Sequence, residues 1–270
     1  MNMPHIKVNN AKLYYEKTGN GPEAIVFAHS YLLNSNHFKY QIETFKNKYL
    51  CLAYDHRGHG LSEITESGYD MDNLYRDAVC FIDAANCAPC HFAGLSMGGI
   101  IGMMIAVRRP DLLKSLILMD TPAELGAGIP LIIKNAILGI PRILGWRLLS
   151  GAIMTGMFGK KFRRDPKNRN EIKYWKEVIK SNNVSAAIKT AKGIAALKDL
   201  PEVIHKINIP TLIIAGEKDI SAGVRQAERI AGLIPGARLA VIPEAGHISS
   251  LEEPEAVNNI IKKFLDSMSG

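Results

Sequence analysis

Gly94-Leu95-Ser96-Met97-Gly98-Gly99 is the stretch whose reading decides the fold of this 270-residue chain. Before it runs Cys90-His91-Phe92-Ala93, a short apolar segment typical of a strand buried on both faces. After it, residues 97–108 read as a close-packed helix. A serine framed by glycines at such a junction is the G-x-S-x-G arrangement of a nucleophile elbow, a turn so tight that its flanking residues must be nearly side-chain-free. The Met97 N–H then lies at a helix N-terminus, where it faces developing negative charge. The same residues would also suit a glycine-rich turn with no chemistry. The strand before and the helix after supply the context that the elbow requires.

Outward from this turn, strand-like and helix-like segments alternate. Residues 6–8 and 13–17, separated by Asn9-Asn10-Ala11-Lys12, predict an opening hairpin. Residues 24–28 (AIVFA), 50–54 (LCLAY), 90–94 and 115–119 (SLILM) predict buried strands, with helices at 36–45, 72–85 and 97–108 between them. The alternation resumes with strands at 211–215 (TLIIA) and 238–242 and helices at 222–233 and 254–268. Strand and helix in turn imply an α/β fold, a mostly parallel twisted sheet with helices on both faces. The interval 122–200 reads helical, broken by Pro130, Pro141 and Pro166. It predicts an inserted helical cap on a core formed by 1–121 and 201–270. The apolar face between residues 129 and 158 should lie over the carboxyl edge of the sheet, where open α/β sheets hold ligands.

Composition is that of an ordinary globular protein, 47% hydrophobic and 22% charged, which excludes disordered, collagenous and coiled-coil classes. The formal charge of +7 is unevenly placed. Residues 121–200 hold 15 Lys and Arg against five Asp and Glu, a formal +10, while the rest holds 18 against 21, a formal −3. The surplus therefore belongs to the cap and gives no argument for a nucleic-acid partner. Its basic residues read chiefly as the solvated outer faces of amphipathic helices; drawing in an anionic substrate or contact with an acidic membrane surface is the lesser reading. Residues 84–107 lack Asp, Glu, Lys and Arg over a bilayer-spanning length, but Asn86, Pro89, His91 and four glycines fit a turn, a strand and a helix better. No apolar leader opens the chain, and a cytoplasmic location is expected. Cys87-Ala-Pro-Cys90-His91 matches a thioredoxin-like C-x-x-C and a haem-attachment motif, yet it follows a helix and precedes a strand. It reads as a helix-to-strand turn carrying reduced thiols.

A serine hydroxyl needs a base to take its proton. Ala245-Gly246-His247 follows the last strand and Gly216-Glu217-Lys218-Asp219 the one before, so the chain offers Ser96, Asp219 and His247 in the order Ser…acid…His. Asp120, at the end of 115–119, competes with Asp219 as the acid, and Glu217 and Glu244 are further carboxylates nearby.

These residues resemble the α/β-hydrolase superfamily over essentially the whole chain. Asp55-His56-Arg57-Gly58-His59-Gly60-Leu61-Ser62 looks like its D-x-R-G-x-G-x-S loop, for which the resemblance implies a structural role. It also implies an oxyanion-hole loop after residues 24–28, usually His-Gly-x. Here that loop reads His29-Ser30-Tyr31, with the Tyr31 N–H as second donor beside Met97 and with Ser30 either filling the turn or offering a hydroxyl. The nearest group contains 3-oxoadipate enol-lactonases, carboxylesterases and cofactor-free haloperoxidases or perhydrolases. The resemblance implies a serine hydrolase of a small ester or lactone that needs no cofactor and no metal. A Ser nucleophile sets it apart from relatives that attack through Asp, the haloalkane dehalogenases and epoxide hydrolases. Alternatives with the same triad are a perhydrolase or haloperoxidase, a C–C bond hydrolase and a slow-turnover ligand receptor.

Overall fold

In the computed structural model the opening residues form a hairpin, β1 (His5–Val8) and β2 (Ala11–Thr18), paired antiparallel. Its turn is shorter than the sequence predicts. Asn9 and Asn10 alone make it, both with positive φ (43° and 58°), which the matching hairpin turn requires and asparagine tolerates. The structure describes residues 4–122, 124, 134–136, 139–197 and 200–268, without the side chains of Arg147 and Pro201. The Pro130 break and the start of the expected apolar cap face lie outside the described residues.

Six parallel strands complete one sheet: β3 (Ala24–Ala28), β4 (Leu50–Tyr54), β5 (Cys90–Leu95), β6 (Leu113–Met119), β7 (Thr211–Gly216) and β8 (Arg238–Ile242). The spatial order is β1-β2-β4-β3-β5-β6-β7-β8, so β3 and β5 lie at the centre. All residues of β3, β5 and β7 are buried, as their unbroken apolar runs demand. The edge strand β8 differs, with Leu239 and Val241 partly exposed. Helix α3 (Met97–Arg108) lies along β5 and β6 and packs on α2 (Met71–Ala84), while α1 (Lys39–Phe45) packs on α11 (Pro254–Asp266). α3 is apolar all round and buried from Met97 to Ala106, as befits a helix covered by sheet and neighbours. A further helix, α9 (Gly223–Leu233), lies along β7 and β8.

Between β6 and β7 the described chain is helical: α4 (Ile140–Met157, broken at Gly145), α5 (Lys160–Arg164), α6 (Arg169–Ser181), α7 (Val184–Ala196) and α8 (Leu200–Val203). These helices touch loops that leave the carboxyl ends of the strands. Asn182 donates to the Leu32 carbonyl after β3 (3.0 Å), Lys189 to the Glu66 carbonyl after β4 (2.6 Å), and the His247 N–H after β8 donates to the Met157 carbonyl (3.0 Å). No helix among the described residues is long and apolar enough to cross a membrane.

Candidate active site

The six parallel strands deliver their following loops to one edge of the sheet, and backbone strain marks that edge. Among the described residues, the positive-φ positions that are not glycine are three asparagines and Leu32, Ser96, Asp120 and Glu244. The last four sit in the loops after β3, β5, β6 and β8. Such conformations cost of order 1–3 kcal/mol each and persist only where the surroundings hold them.

Ser96 has φ 53° and ψ −109°, its N–H donates to the Met119 carbonyl of β6 (2.9 Å), and α3 begins at the next residue. It is the only residue from Cys90 to Ala106 that is not buried. The glycines around it are sterically required. A Cβ on Gly94 would meet the Gly98 carbonyl at 2.3 Å, and one on Gly98 would meet the Ala28 carbonyl oxygen at 2.0 Å. That second contact seats the first turn of α3 on the end of β3, beside the loop that carries Tyr31. Neither the Met97 N–H nor the Tyr31 N–H donates to a protein acceptor among the described residues. In the same loop Ser30 occupies the turn, its carbonyl taking both the His29 Nδ1–H (2.7 Å) and the Leu33 N–H (3.2 Å). The Tyr31 hydroxyl donates to the Ala187 carbonyl of α7 (2.8 Å).

His247 and Asp219 meet: the imidazole Nδ1 donates to Asp219 Oδ2 at 2.9 Å, which leaves the Nε2 lone pair of the neutral ring free to act as a base. The Asp219 carboxylate is fixed further by the N–H groups of Ser221 (2.7 Å), Ala222 (3.2 Å) and Gly223 (3.1 Å) at the start of α9. Burial opposes charge on both partners. It is the largest single influence on each. The partner's charge and hydrogen bond, together with the Gly223 and Ser221 N–H groups on Asp219 and the Asp120 and Glu252 charges on His247, outweigh it, lowering the Asp219 pKa and raising that of His247.

Asp120, the competing acid, is placed differently. Its Oδ1 accepts the Gly216 N–H (2.7 Å), and its Oδ2 accepts the Ser249 N–H (3.1 Å) and hydroxyl (2.6 Å). It thus ties the loop after β7 to the loop after β8 without a hydrogen bond to His247 among the described residues. Burial, with Asp219 close by, pushes its carboxyl up to about 8. Glu217 and Glu244 lie on the surface, both paired with Lys218. A carboxylate unmarked by any sequence motif also enters: Glu252, in α10 (Ser249–Glu252), is buried beneath the His247 loop. Only its spacing five residues after His247 could have drawn attention to it.

The Asp55–Ser62 loop is held by its own contacts. Arg57 makes a buried bidentate pair with Asp77 (2.6 and 2.9 Å), and Asp55 accepts the Ser35 and Leu61 N–H groups (2.6 and 2.7 Å). Cys87, in the turn after α2, and Cys90, the first residue of β5, are buried free thiols.

Comparison with known proteins agrees with this architecture. The chain is 28% identical over 248 residues to 3-oxoadipate enol-lactonase 2 of Acinetobacter baylyi, covering 90% of this chain and 88% of that one. It is 25% identical over 269 residues to a putative non-heme bromoperoxidase, BpoC, of Mycobacterium tuberculosis, covering 95% and 98%. The crystal structure of an enol-lactonase from Burkholderia xenovorans superposes with a TM-score of 0.89 at 27% identity, over 97% of this chain and 100% of that one. Residues 23–254 match the family model for the alpha/beta hydrolase fold, and with the sheet order and strained loops described above, the chain belongs to that family.

Proposed function

We propose that this protein is a serine hydrolase that cleaves a carboxylic ester or lactone through an acyl-enzyme on Ser96. The observation that carries the reading is the Asp219–His247 hydrogen bond of 2.9 Å, at the same sheet edge as a strained, solvent-reachable Ser96. His247 Nε2 takes the Ser96 proton as Oγ attacks the carbonyl carbon. The Met97 and Tyr31 N–H groups receive the negative charge on the carbonyl oxygen, each such donor contributing about 3 kcal/mol in comparable sites. The imidazolium then protonates the departing alkoxide, and water, deprotonated by His247, releases the acyl group. Asp219 stays ionised, holding the tautomer and stabilising the imidazolium.

In this reading residues 122–200 form the cap and residues 1–121 and 201–270 the core. The basic surplus of the cap and the apolar composition of residues 129–158 suit a small ester or lactone that is apolar or carries a carboxylate. The enol-lactonase relatives favour the lactone end of that range. A panel of p-nitrophenyl esters and lactones tests it: wild type turns over at least one, Ser96→Ala none, and a fluorophosphonate labels wild type at Ser96. Full turnover by Ser96→Ala overturns the assignment. The bromoperoxidase relative supports a second reading, perhydrolysis on the same triad. Peroxide-dependent halogenation exceeding ester turnover would select it.

A further inference from the structure

Glu252 is a buried acid with no cationic side chain bonded to it among the described residues, and three backbone N–H groups converge on its carboxylate. Oε2 accepts Gly246 N–H (2.9 Å) and Gly159 N–H (3.0 Å), and Oε1 accepts Ile248 N–H at 3.4 Å. Gly246 and Ile248 flank His247. Gly159 lies just beyond α4, two residues past the Met157 carbonyl that accepts the His247 N–H (3.0 Å). The two glycines are pressed together around the carboxylate. A Cβ on Gly246 would meet Gly159 N at 2.4 Å, and one on Gly159 would meet Glu252 Oε2 at 2.7 Å. One carboxylate thus joins the chain before His247, the chain after it, and the end of a cap helix from a distant part of the sequence.

We infer that Glu252 is a positioning residue that sets the aim of His247 and couples it to the 157–159 segment of the cap. This rests on the proposed role of His247 as general base. An imidazole held on a loop needs both flanking peptides fixed to keep its free nitrogen aligned with a serine on another strand, and a misplacement of about 1 Å costs on the order of 100-fold in rate. The ionised carboxylate accepts all three N–H groups, and its charge also favours the imidazolium. Burial pushes Glu252 up to about 7, so it loses its charge as pH falls through neutrality. The groups facing this pair are Asp219 and Asp120, on the loops after β7 and β6, each of which also favours the imidazolium, and buried His37, after β3, whose own pKa is held down to about 3 by burial and then by His247.

The test compares Glu252→Ala, Glu252→Gln and Gly159→Ala with wild type on a p-nitrophenyl ester. Glu252→Ala is expected to lose about 100-fold in kcat with little change in KM. Gly159→Ala, which leaves the acid in place and wedges it from the cap side, should lower kcat in the same way. The acid limb of kcat/KM should fall more steeply than one proton allows in wild type, and with a single proton in Glu252→Gln. An unchanged kcat in Gly159→Ala, or identical limbs in wild type and Glu252→Gln, overturns the inference. The imidazole titration of His247, followed by NMR and identified by its loss in His247→Gln, needs no substrate. It should move to lower pH in Glu252→Gln even if the ester reading fails, and a titration that does not move overturns the coupling.

Discussion

Two groups of buried histidines lie at the same edge of the sheet and are tuned in opposite directions. His247 is surrounded by carboxylates: Asp219 bonded to its Nδ1, with Asp120 and Glu252 tied to the same loop. Its pKa rises despite burial. His29, His56 and His59 form a nest at the loop after β3, with ring centroids 4.3 to 6.4 Å apart and no carboxylate bonded to any of them among the described residues. They bond to backbone instead. His56 N–H donates to His29 Nε2, His56 Nε2 donates to the His29 carbonyl, and His59 donates to the Arg57 carbonyl. Burial first, and then mutual repulsion between would-be imidazoliums, pushes His29 well down and His56 to about 3, while burial takes His59 to about 4. Burial alone keeps an imidazole neutral and inert. Burial beside fixed carboxylates instead raises its affinity for a second proton.

The largest effects should separate the two groups by activity. His247→Ala is expected to lower kcat about 10⁶-fold, as loss of the base does in comparable triads. His59→Asn keeps an N–H donor for the Arg57 carbonyl and should leave kcat within about tenfold, since it removes no group the reaction uses. Steady-state rates on one ester measure both, and a comparable loss in both variants would break the distinction. Next in size is the division of labour between the two buried aspartates. Asp219→Asn should cost about 10⁴-fold in kcat through the wrong imidazole tautomer. Asp120→Asn should cost mainly stability, about 1–3 kcal/mol, because an amide cannot accept at both oxygen positions that serve Gly216 and Ser249. Abolished turnover in Asp120→Asn with retained turnover in Asp219→Asn would reverse their roles.

The parts of this arrangement that were legible in the sequence are those written locally. The strands 24–28, 50–54 and 238–242 and the helix 97–108 carry their signals in consecutive residues, and the structure gives them the same bounds. The Ser…acid…His order pointed to Asp219 and His247, which the fold brings into hydrogen bond. What remained illegible depends on contacts between remote residues. Asp120 acts on Ser249, 129 positions away, and Glu252 on Gly159, 93 away, and neither pairing leaves a pattern in its own neighbourhood. The nest is hidden for the same reason. Asp55-His56-Arg57-Gly58-His59 reads as one loop motif, and only folding shows that its two histidines close on His29, just past the end of the neighbouring strand β3.

The smallest effect is also the one that tests the physical origin of the contrast, because it is read from stability alone. For His29, His56 and His59 the folded state resists protonation, whereas the unfolded chain takes up protons near about pH 6.5. Their contribution is present above that value and is lost as pH falls toward about 4 for His59 and about 3 for His56. Each such group adds a slope approaching about 1.4 kcal/mol per pH unit. Urea unfolding of His59→Asn between pH 6 and 5 should therefore show a slope shallower than wild type by about 1 kcal/mol per unit. For His247 the sign inverts. Its folded pKa lies above the unfolded one, so its contribution is full below about pH 6.5 and lost as pH rises through the folded value. In His247→Gln the decline on that alkaline side should weaken, while the slope between pH 6 and 5 should keep its wild-type steepness. If both variants flatten the same acid window, the carboxylates around His247 do not set it apart, and burial alone governs every histidine at this edge.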